Sequence, residues 1–597
     1  RMKRSIREHL KTCVSAVRTC YRAAGSIVFW NYLLSALIAL LPFISAAALK
    51  EITNELAAFA ALEQPMNRLI FFGACYIAVL LIRNTLTGFQ AYSNQIIEEK
   101  TTRSVTDQIV KKSTEVEIAY FDRAEYYDQL SIALRFANNV YYLYKMLGDI
   151  ALSIITGVMT IVLLLDIDLR ITMILVMIQI PMLWIQLKNA KRELDTEEDS
   201  ASDNRRIQYF FSIGLEKQYA KDVRISPLEH LVKRKMDAYT ASFLRKQNNM
   251  LHKNAAKGII GDWISYLAMG IALVLAVLDA MHGAISIGDI QYAMNLILLS
   301  SGRLENLTVD LAYLKGFLTR VAKCLSFIQT AAESRLHWGS SELDELRSIR
   351  FEHVFFRYPN AKEYALQDVS FELRAGERVM LAGLNGAGKS TIVKLLLGLY
   401  PAESGEILLN GKKISAFAIE DIRSKVGIFF QDTALYAFTL AENVHMWAPG
   451  FEKDEAKLAA ALAQSGVSRM IQDWPMGENT DLTKLFSEDG RELSGGQAQK
   501  IASARALYHG ADFLILDEPS SSLDAKSEEE IFKNAIALSK DRGCLLVSHR
   551  LSVSRMMDTI LFLEHGRIAE CGSHEQLLKK NGRYAHLYRL QADSYQW

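Results

Sequence analysis

Residues Gly383 to Thr391 read GLNGAGKST and follow the apolar run Val379 to Ala382. Gly383, Gly388, Lys389 and Ser390 hold the fixed positions of G-x-x-x-x-G-K-[ST], a spacing whose glycines let backbone N–H groups curl around a polyphosphate. Lys389 adds a mobile cation, the helix that follows turns its positive end to the anion, and the Ser390 hydroxyl suits Mg²⁺. Nucleotide contacts are therefore expected from Gly383, Leu384, Asn385, Gly386, Ala387, Gly388, Lys389, Ser390 and Thr391. A second group sits in Phe513 to Glu518, FLILDE, where four apolar residues precede two carboxylates. Asp517 is placed to hold Mg²⁺ through water, and Glu518 to orient and deprotonate an attacking water. In the third, Leu493 to Gln497 (LSGGQ), Ser494 is a natural N-cap, and Gly495 and Gly496 expose backbone donors at a helix N-terminus, a second anion site. Gln431 and His549 each follow an apolar run. Taken singly, such residues at strand ends read as satisfied structural groups.

The elements that must position these groups are strands and helices in alternation. A continuous apolar run such as Phe513 to Leu516 suits a strand buried on both faces of a parallel sheet, with the acids emerging at its carboxyl end, where ligands of such sheets bind. The unbroken pattern from Ala498 to Tyr508 predicts a helix behind Ser494. Thr330 to Ser348 is polar and reads as a linker, so residues 349–597 form one α/β domain of ordinary size after a linker at 330–348.

With 597 residues the chain is too long for one core. Half of it is hydrophobic, and the mean hydropathy of +0.07 is high for a soluble protein, with the excess concentrated in the first half. A net charge of +1 provides no global positive field, which excludes a general nucleic-acid partner. The six cysteines are scattered without C-x-x-C spacing, so neither zinc nor disulfide chemistry is expected of them.

Residues 1–329 read as an all-α membrane domain. Ser26 to Leu49 carries no charge, long enough for a helix to cross a hydrocarbon core of about 30 Å, and reads as a retained span rather than a cleaved leader. Further spans are expected at Leu69 to Tyr92, Leu147 to Leu165, Ile171 to Leu187, Gly258 to Leu278 and Ile287 to Leu307, the third and fourth joined by a tight hairpin at Asp166 to Arg170. Lys and Arg concentrate before the first span and in the connections around 93–145 and 188–257, while the alternate connections carry few. By the positive-inside rule the N-terminus, both long connections and everything after the sixth span are cytoplasmic, in a cytoplasmic membrane. The long connections read as helical extensions that turn near Tyr120 to Leu130 and near Gly214 to Ile225. Such turns either press on a soluble domain or are solvated hairpin tips.

Ionisable residues within spans are functional candidates by default. Arg83 and Arg303 fall about 21 to 24 Å along inward-running spans, at 1.5 Å per residue. With Asp262 and Glu305 they line an inward-facing cavity, or else they snorkel to the cytoplasmic interface where the helices leave the bilayer.

Taken together these motifs resemble the ATP-binding cassette transporter superfamily, and within it the exporters whose membrane and nucleotide domains are fused in a half-transporter. GLNGAGKST is similar to the Walker A loop, LSGGQ to the signature, FLILDE to the Walker B strand, and Ser521 to Asp524 to the D-loop. Ser522 stands where alanine is common, and the segment Ser487 to Glu492 before the signature is shorter and more acidic than in many exporters. The resemblance implies that Tyr358 stacks on adenine, that Gln431 is the Q-loop residue and a Mg²⁺ ligand, that His549 senses the γ-phosphate, and that Asp524 belongs to the nucleotide site. It implies ATP and Mg²⁺ as cofactors and a dimer in which Ser494, Gly495, Gly496 and Gln497 of one subunit close on nucleotide held at Lys389 of the other. A homodimer is favoured because the catalytic set is intact, with a heterodimer as the alternative. The implied activity is ATP-driven export of a peptide, lipid-like or amphiphilic molecule; the alternatives are a lipid flippase and a regulatory or channel-type membrane ATPase.

Overall fold

The computed structural model describes residues 2–60, 66–216, 219–226, 228–330, 338–359, 361–430, 434–446, 454–508, 511–518 and 542–593. The chain divides into two compact units, Arg1–Glu115 with Asp128–Glu333, and Val116–Tyr127 with Ser334–Trp597.

The first unit is built from helices: α1 (Met2–Ala24), α2 (Ile27–Ala60), α3 (Asn67–Glu115), α4 (Ala124–Arg135, which begins in the second unit), α5 (Asn139–Leu165), α6 (Leu169–Leu215), α7 (Ala220–Ile225), α8 (Leu228–Met281) and α9 (Ile287–Thr330). α3 has 49 residues and α8 has 54, so at 1.5 Å per residue each reaches over about 70 Å, roughly two and a half times the hydrocarbon thickness. Among the described residues, α2, α3, α5 and α8 each contain a stretch long and apolar enough to cross a membrane, and Ile287–Leu299 of α9 is a shorter apolar run. Their outward faces are what lipid requires: Phe29 is 62% exposed and Leu267 is 69% exposed, an unusual surface for a protein in water.

Inside this unit α2 runs beside α3 and α9, α5 beside α9, and α6 beside α8. Without a hydrophobic drive between helices in lipid, polar side chains and close packing hold such pairs. Asn31 Nδ2 donates to Asn94 Oδ1 at 2.9 Å, Gln90 Nε2 donates to Ser35 Oγ at 2.6 Å, and Tyr32 OH donates to the Tyr144 carbonyl at 3.1 Å, tying α2 to α3 and α5. At the far ends Arg170 forks onto Asp168 and Asp279, and Lys50 pairs with Asp289 at 2.6 Å.

The second unit holds two sheets. β1 (Ser348–Phe356), β2 (Leu366–Arg374), β4 (Ser404–Leu409) and β5 (Lys412–Lys413) form an antiparallel sheet in the order β2-β1-β4-β5. The other sheet has the order β10-β9-β3-β8-β7-β6, from β3 (Arg378–Gly383), β6 (Val426–Phe429), β7 (Phe513–Asp517), β8 (Gly543–Ser548), β9 (Thr559–Glu564) and β10 (Arg567–Gly572). β9, β3, β8, β7 and β6 are parallel, and every residue of β7 and β8 is buried, as their continuous apolar runs require. β3 leads through the GLNGAGKST loop into α10 (Lys389–Leu396). This is a helical membrane part followed by an α/β ATPase fold.

A short piece of chain between α3 and the body of α4 belongs to the second unit. Ala119 is buried in its core, and Asp122 Oδ2 accepts a 2.6 Å hydrogen bond from the Tyr400 hydroxyl. The segment was legible as a turn, but its amino acids gave no sign of which of two environments it occupies.

Candidate functional site

The loop after β3 is shaped by its glycines. Gly383 has φ +147°, and a Cβ there would meet the Leu563 carbonyl oxygen at 2.3 Å; Gly388 has φ +102°, and a Cβ would meet the Ala365 oxygen at 2.6 Å. Both positions exclude a side chain by backbone contact and conformation. Leu384 is exposed and Ala387 is buried, its carbonyl accepting from Gly566 N–H at 3.2 Å. Asn385 and Gly386 form the exposed crest of the loop. Lys389 lies only 5% exposed, and its ammonium donates to the carbonyls of Gly383 and Leu384, each at 3.0 Å. Burial pulls this lysine below its ordinary pKa range, while the charges of Glu518 and Asp517 act in the other direction.

Two carboxylates face that lysine from the end of β7. Ser390 Oγ donates to Asp517 Oδ1 at 3.1 Å. Desolvation pushes the Asp517 carboxyl up to about 6, the Ser390 hydrogen bond opposes this, and neighbouring Glu518 adds to it. A hydroxyl oxygen and a carboxylate that share a buried position and lack full countercharge fit a hard divalent cation. No cluster of three or more His, Cys, Asp or Glu suited to a metal occurs among the described residues, so such an ion would draw its other ligands from phosphate and water.

Glu518 is one residue beyond β7 and has φ +47°, in the left-handed region. For a non-glycine residue this conformation costs about 1–2 kcal/mol, and the bond from its N–H to the Val547 carbonyl at 2.9 Å holds it. Its Oε1 lies 3.9 Å from Lys389 Nζ and 3.3 Å from His549 Nδ1. The His549 nitrogen makes no hydrogen bond of good geometry, although it lies within reach of the carboxylate. Thus Lys389, Ser390, Asp517, Glu518 and His549, spread over 160 positions, meet at the carboxyl ends of β3, β7 and β8.

Tyr358 touches the same loop from the other side. Its hydroxyl lies 3.1 Å from Thr391 Oγ1, and its ring meets Phe356 and Tyr400 edge-on at 5.0 and 5.4 Å. Lys394 Nζ sits 5.3 Å over the Tyr358 ring and 6.0 Å over Tyr400. Tyr400 therefore bridges Tyr358 and Asp122, a connection that sequence reasoning missed; an apolar-flanked Tyr in GLYPAESG carries no distinctive signal.

Ser494 and Gln497 form a reciprocal cap: Ser494 N–H donates to Gln497 Oε1 at 2.9 Å, and Gln497 N–H donates to Ser494 Oγ at 3.3 Å. The helix they start spans Gly495–Tyr508, three residues earlier than the apolar pattern predicts, because the cap itself satisfies the first turn. It packs with Leu440, Leu458 and Leu482 in a cluster separate from the core beneath the loop. No described hydrogen bond or ion pair joins Ser494 to Gln497 with Gly383 to Thr391. Gln431 and Ser521 to Asp524 lie outside the described residues.

In the first unit Arg83 and Asp262 are exposed, Arg303 is half-buried, and the Glu305 side chain is outside the described residues. No described hydrogen bond or ion pair links Arg83, Asp262 and Arg303. The charge of Arg303 instead acts on Asp149 of α5, which also feels Lys145. Asp149 falls inside the third apolar run and was not singled out there, although one acid in such a run is itself the signal.

Two family models match in succession: the ABC transporter transmembrane region over residues 26–304 and the ABC transporter over residues 366–521. The subtilin transport ATP-binding protein SpaT of Bacillus subtilis is 26% identical over 91% of this chain and 88% of its own length. The ATP-dependent lipid A-core flippases of Ralstonia nicotianae and Cupriavidus metallidurans are 34% and 35% identical, over 56% and 55% of this chain and 55% of each flippase. A solved bacterial Atm1-family ABC exporter with ATP bound shares the fold, with a TM-score of 0.75 over 94% of this chain and 98% of that one, at 23% identity. The chain belongs to the ABC transporters, as an integral membrane exporter with its helical membrane region and its ATP-binding, ATP-hydrolysing region fused in one half-transporter polypeptide.

Proposed function

We propose that this exporter moves a peptide or amphiphilic molecule out of the cytoplasm by alternating access, as a homodimer with six spans per subunit and its ATPase region cytoplasmic. The observation that supports this reading most is the alignment with a subtilin transporter along nearly the whole of both chains. Half-transporter exporters act as dimers, and a signature helix that packs in a different cluster from the loop of its own chain suits one. ATP held by Lys389, Ser390 and Thr391, with its base on Tyr358, would be covered by Ser494 to Gln497 of the second copy. That contact exists only with nucleotide present, so its free energy can shift the population of membrane conformations.

Mg²⁺ would be held by Ser390, by Gln431 and, through water, by Asp517, where it would neutralise developing phosphate charge. Glu518 would take the proton of the attacking water, and His549, 3.3 Å from it, would hold that carboxylate and the γ-phosphate in register. Lipid flipping is the second reading, favoured by the higher identity to the lipid A-core flippases. The intact pair of Asp517 and Glu518 speaks against a regulator that moves nothing.

ATPase activity of the chain reconstituted in lipid, across a panel of peptides and lipids, tests the reading. Glu518→Gln should bind ATP normally while turnover falls at least ~100-fold, the usual worth of a general base; turnover equal to wild type would overturn the assignment. Arg83→Ala and Arg303→Ala should lower the stimulation by substrate if those arginines line the cavity, and leave it unchanged if they only snorkel.

A further inference from the structure

Where the apolar part of α6 gives way to its charged extension, Lys188 and Arg192 stand four residues apart. On the neighbouring α8, Lys253 and Lys257 have the same spacing, immediately before the apolar run that starts at Gly258. The two helices touch at this level. Arg192 Nη1 donates to Asn254 Oδ1 at 2.7 Å, and about two turns further along α8 a Cβ at Gly261 would lie 2.7 Å from Met182 Sδ. The charges of Lys188, Arg192 and Lys253 all act on Lys257, and all three repel it. Glu193, adjacent in sequence, is engaged elsewhere, accepting from the Tyr313 hydroxyl. Like charges four apart destabilise a helix, and two such pairs on packed helices favour an anion that none of these groups supplies.

The surroundings tell which kind of anion. Lys188 Nζ lies 4.8 Å over the Trp184 ring, and Trp184, Trp263 and Tyr266 are 62%, 69% and 68% exposed. Trp and Tyr collect at the membrane–water boundary, at the depth of lipid headgroups. Free phosphate has no need of exposed indoles beside it, whereas a lipid whose chains lie along the apolar part of α6 and α8 does. We propose that Lys188, Arg192, Lys253 and Lys257 form a binding site for the phosphate headgroup of an anionic membrane lipid. The site rests on the orientation proposed above only for its leaflet, which is then the inner one, and it is independent of what the exporter carries.

The test uses the full-length protein, delipidated in detergent and titrated with phosphatidylglycerol or phosphatidylcholine, with bound lipid counted by native mass spectrometry. This readout involves neither transport nor orientation, so it can fail without affecting the proposed function. The wild type should prefer phosphatidylglycerol, and Lys253→Gln/Lys257→Gln should cut that preference about fivefold for each cation removed. This pair leaves the Arg192–Asn254 bond in place; Lys188→Arg/Lys253→Arg/Lys257→Arg keeps the charge and should keep the preference. Equal preference in the wild type and the Gln variant would overturn the site. Displacement of phosphatidylglycerol by millimolar inorganic phosphate would overturn its assignment to a lipid.

Discussion

The side chains around the phosphate loop are arranged for charge that the polypeptide alone does not balance. Asp517 is desolvated, and its carboxyl sits near 6 against an ordinary value of 3.8. A raised carboxyl contributes stability that is complete below the unfolded value and lost as pH rises through the folded one. Ionised Asp517 therefore costs the folded chain on the order of 3 kcal/mol above pH 6 and almost nothing below pH 4. Asp517→Asn is expected to raise the melting midpoint in detergent at pH 8, to leave it unchanged near pH 4, and to abolish Mg²⁺-dependent turnover. A midpoint that falls equally at both pH values would contradict this account. The fixed spacing of GLNGAGKST and FLILDE made these groups legible, because backbone approach at Gly383 and Gly388 tolerates no side chain. His549 was readable only as a polar strand end, since its 3.3 Å approach to Glu518 arises from β7 and β8 lying side by side.

At the scale of elements, the short segment 116–127, which follows α3 in the chain, packs within the ATPase unit. The path runs from Thr391 through the Tyr358 and Tyr400 rings to Asp122, with contacts of 3.1, 5.4 and 2.6 Å. A Tyr hydroxyl on a carboxylate is a charge-assisted bond, stronger than its neutral counterpart and lost when either group is changed. Tyr400→Phe and Asp122→Asn should each leave basal ATPase within about twofold and reduce substrate stimulation several-fold, with the double variant no worse than either single one, as members of one pair behave. Additive losses measured in the same vesicles would show that the two residues act separately. The hydropathy of residues 116–127 gave a turn but not its neighbour, because the burial of Ala119 and the bond to Asp122 depend on a surface made by residues more than 200 positions away.

For the whole molecule, the loop and the signature belong to separate clusters of one chain, so the proposed dimer predicts complementation. Lys389→Ala and Gly496→Asp should each be inactive as homodimers. Mixed in equal amounts, half the dimers would carry one site with neither defect, so about a quarter of wild-type ATPase should return if both sites turn over independently. Absence of any recovery, with mixed dimers demonstrated by two affinity tags, would argue against a shared site.

The sequence by itself determined the order of the parts, a helical membrane region and then an α/β ATPase fold, and it singled out the residues proposed to handle phosphate. Both are local properties: hydropathy persists over 20 residues, and backbone N–H groups close on phosphate only at glycines of fixed spacing. Tertiary structure decided the rest. It brought Asp149 within electrostatic reach of Arg303, Tyr400 to Asp122, and Lys188 and Arg192 of α6 within reach of Lys257 of α8. These pairings join residues distant in the chain whose types are ordinary, and only helix and strand packing determines which of the available charges become neighbours.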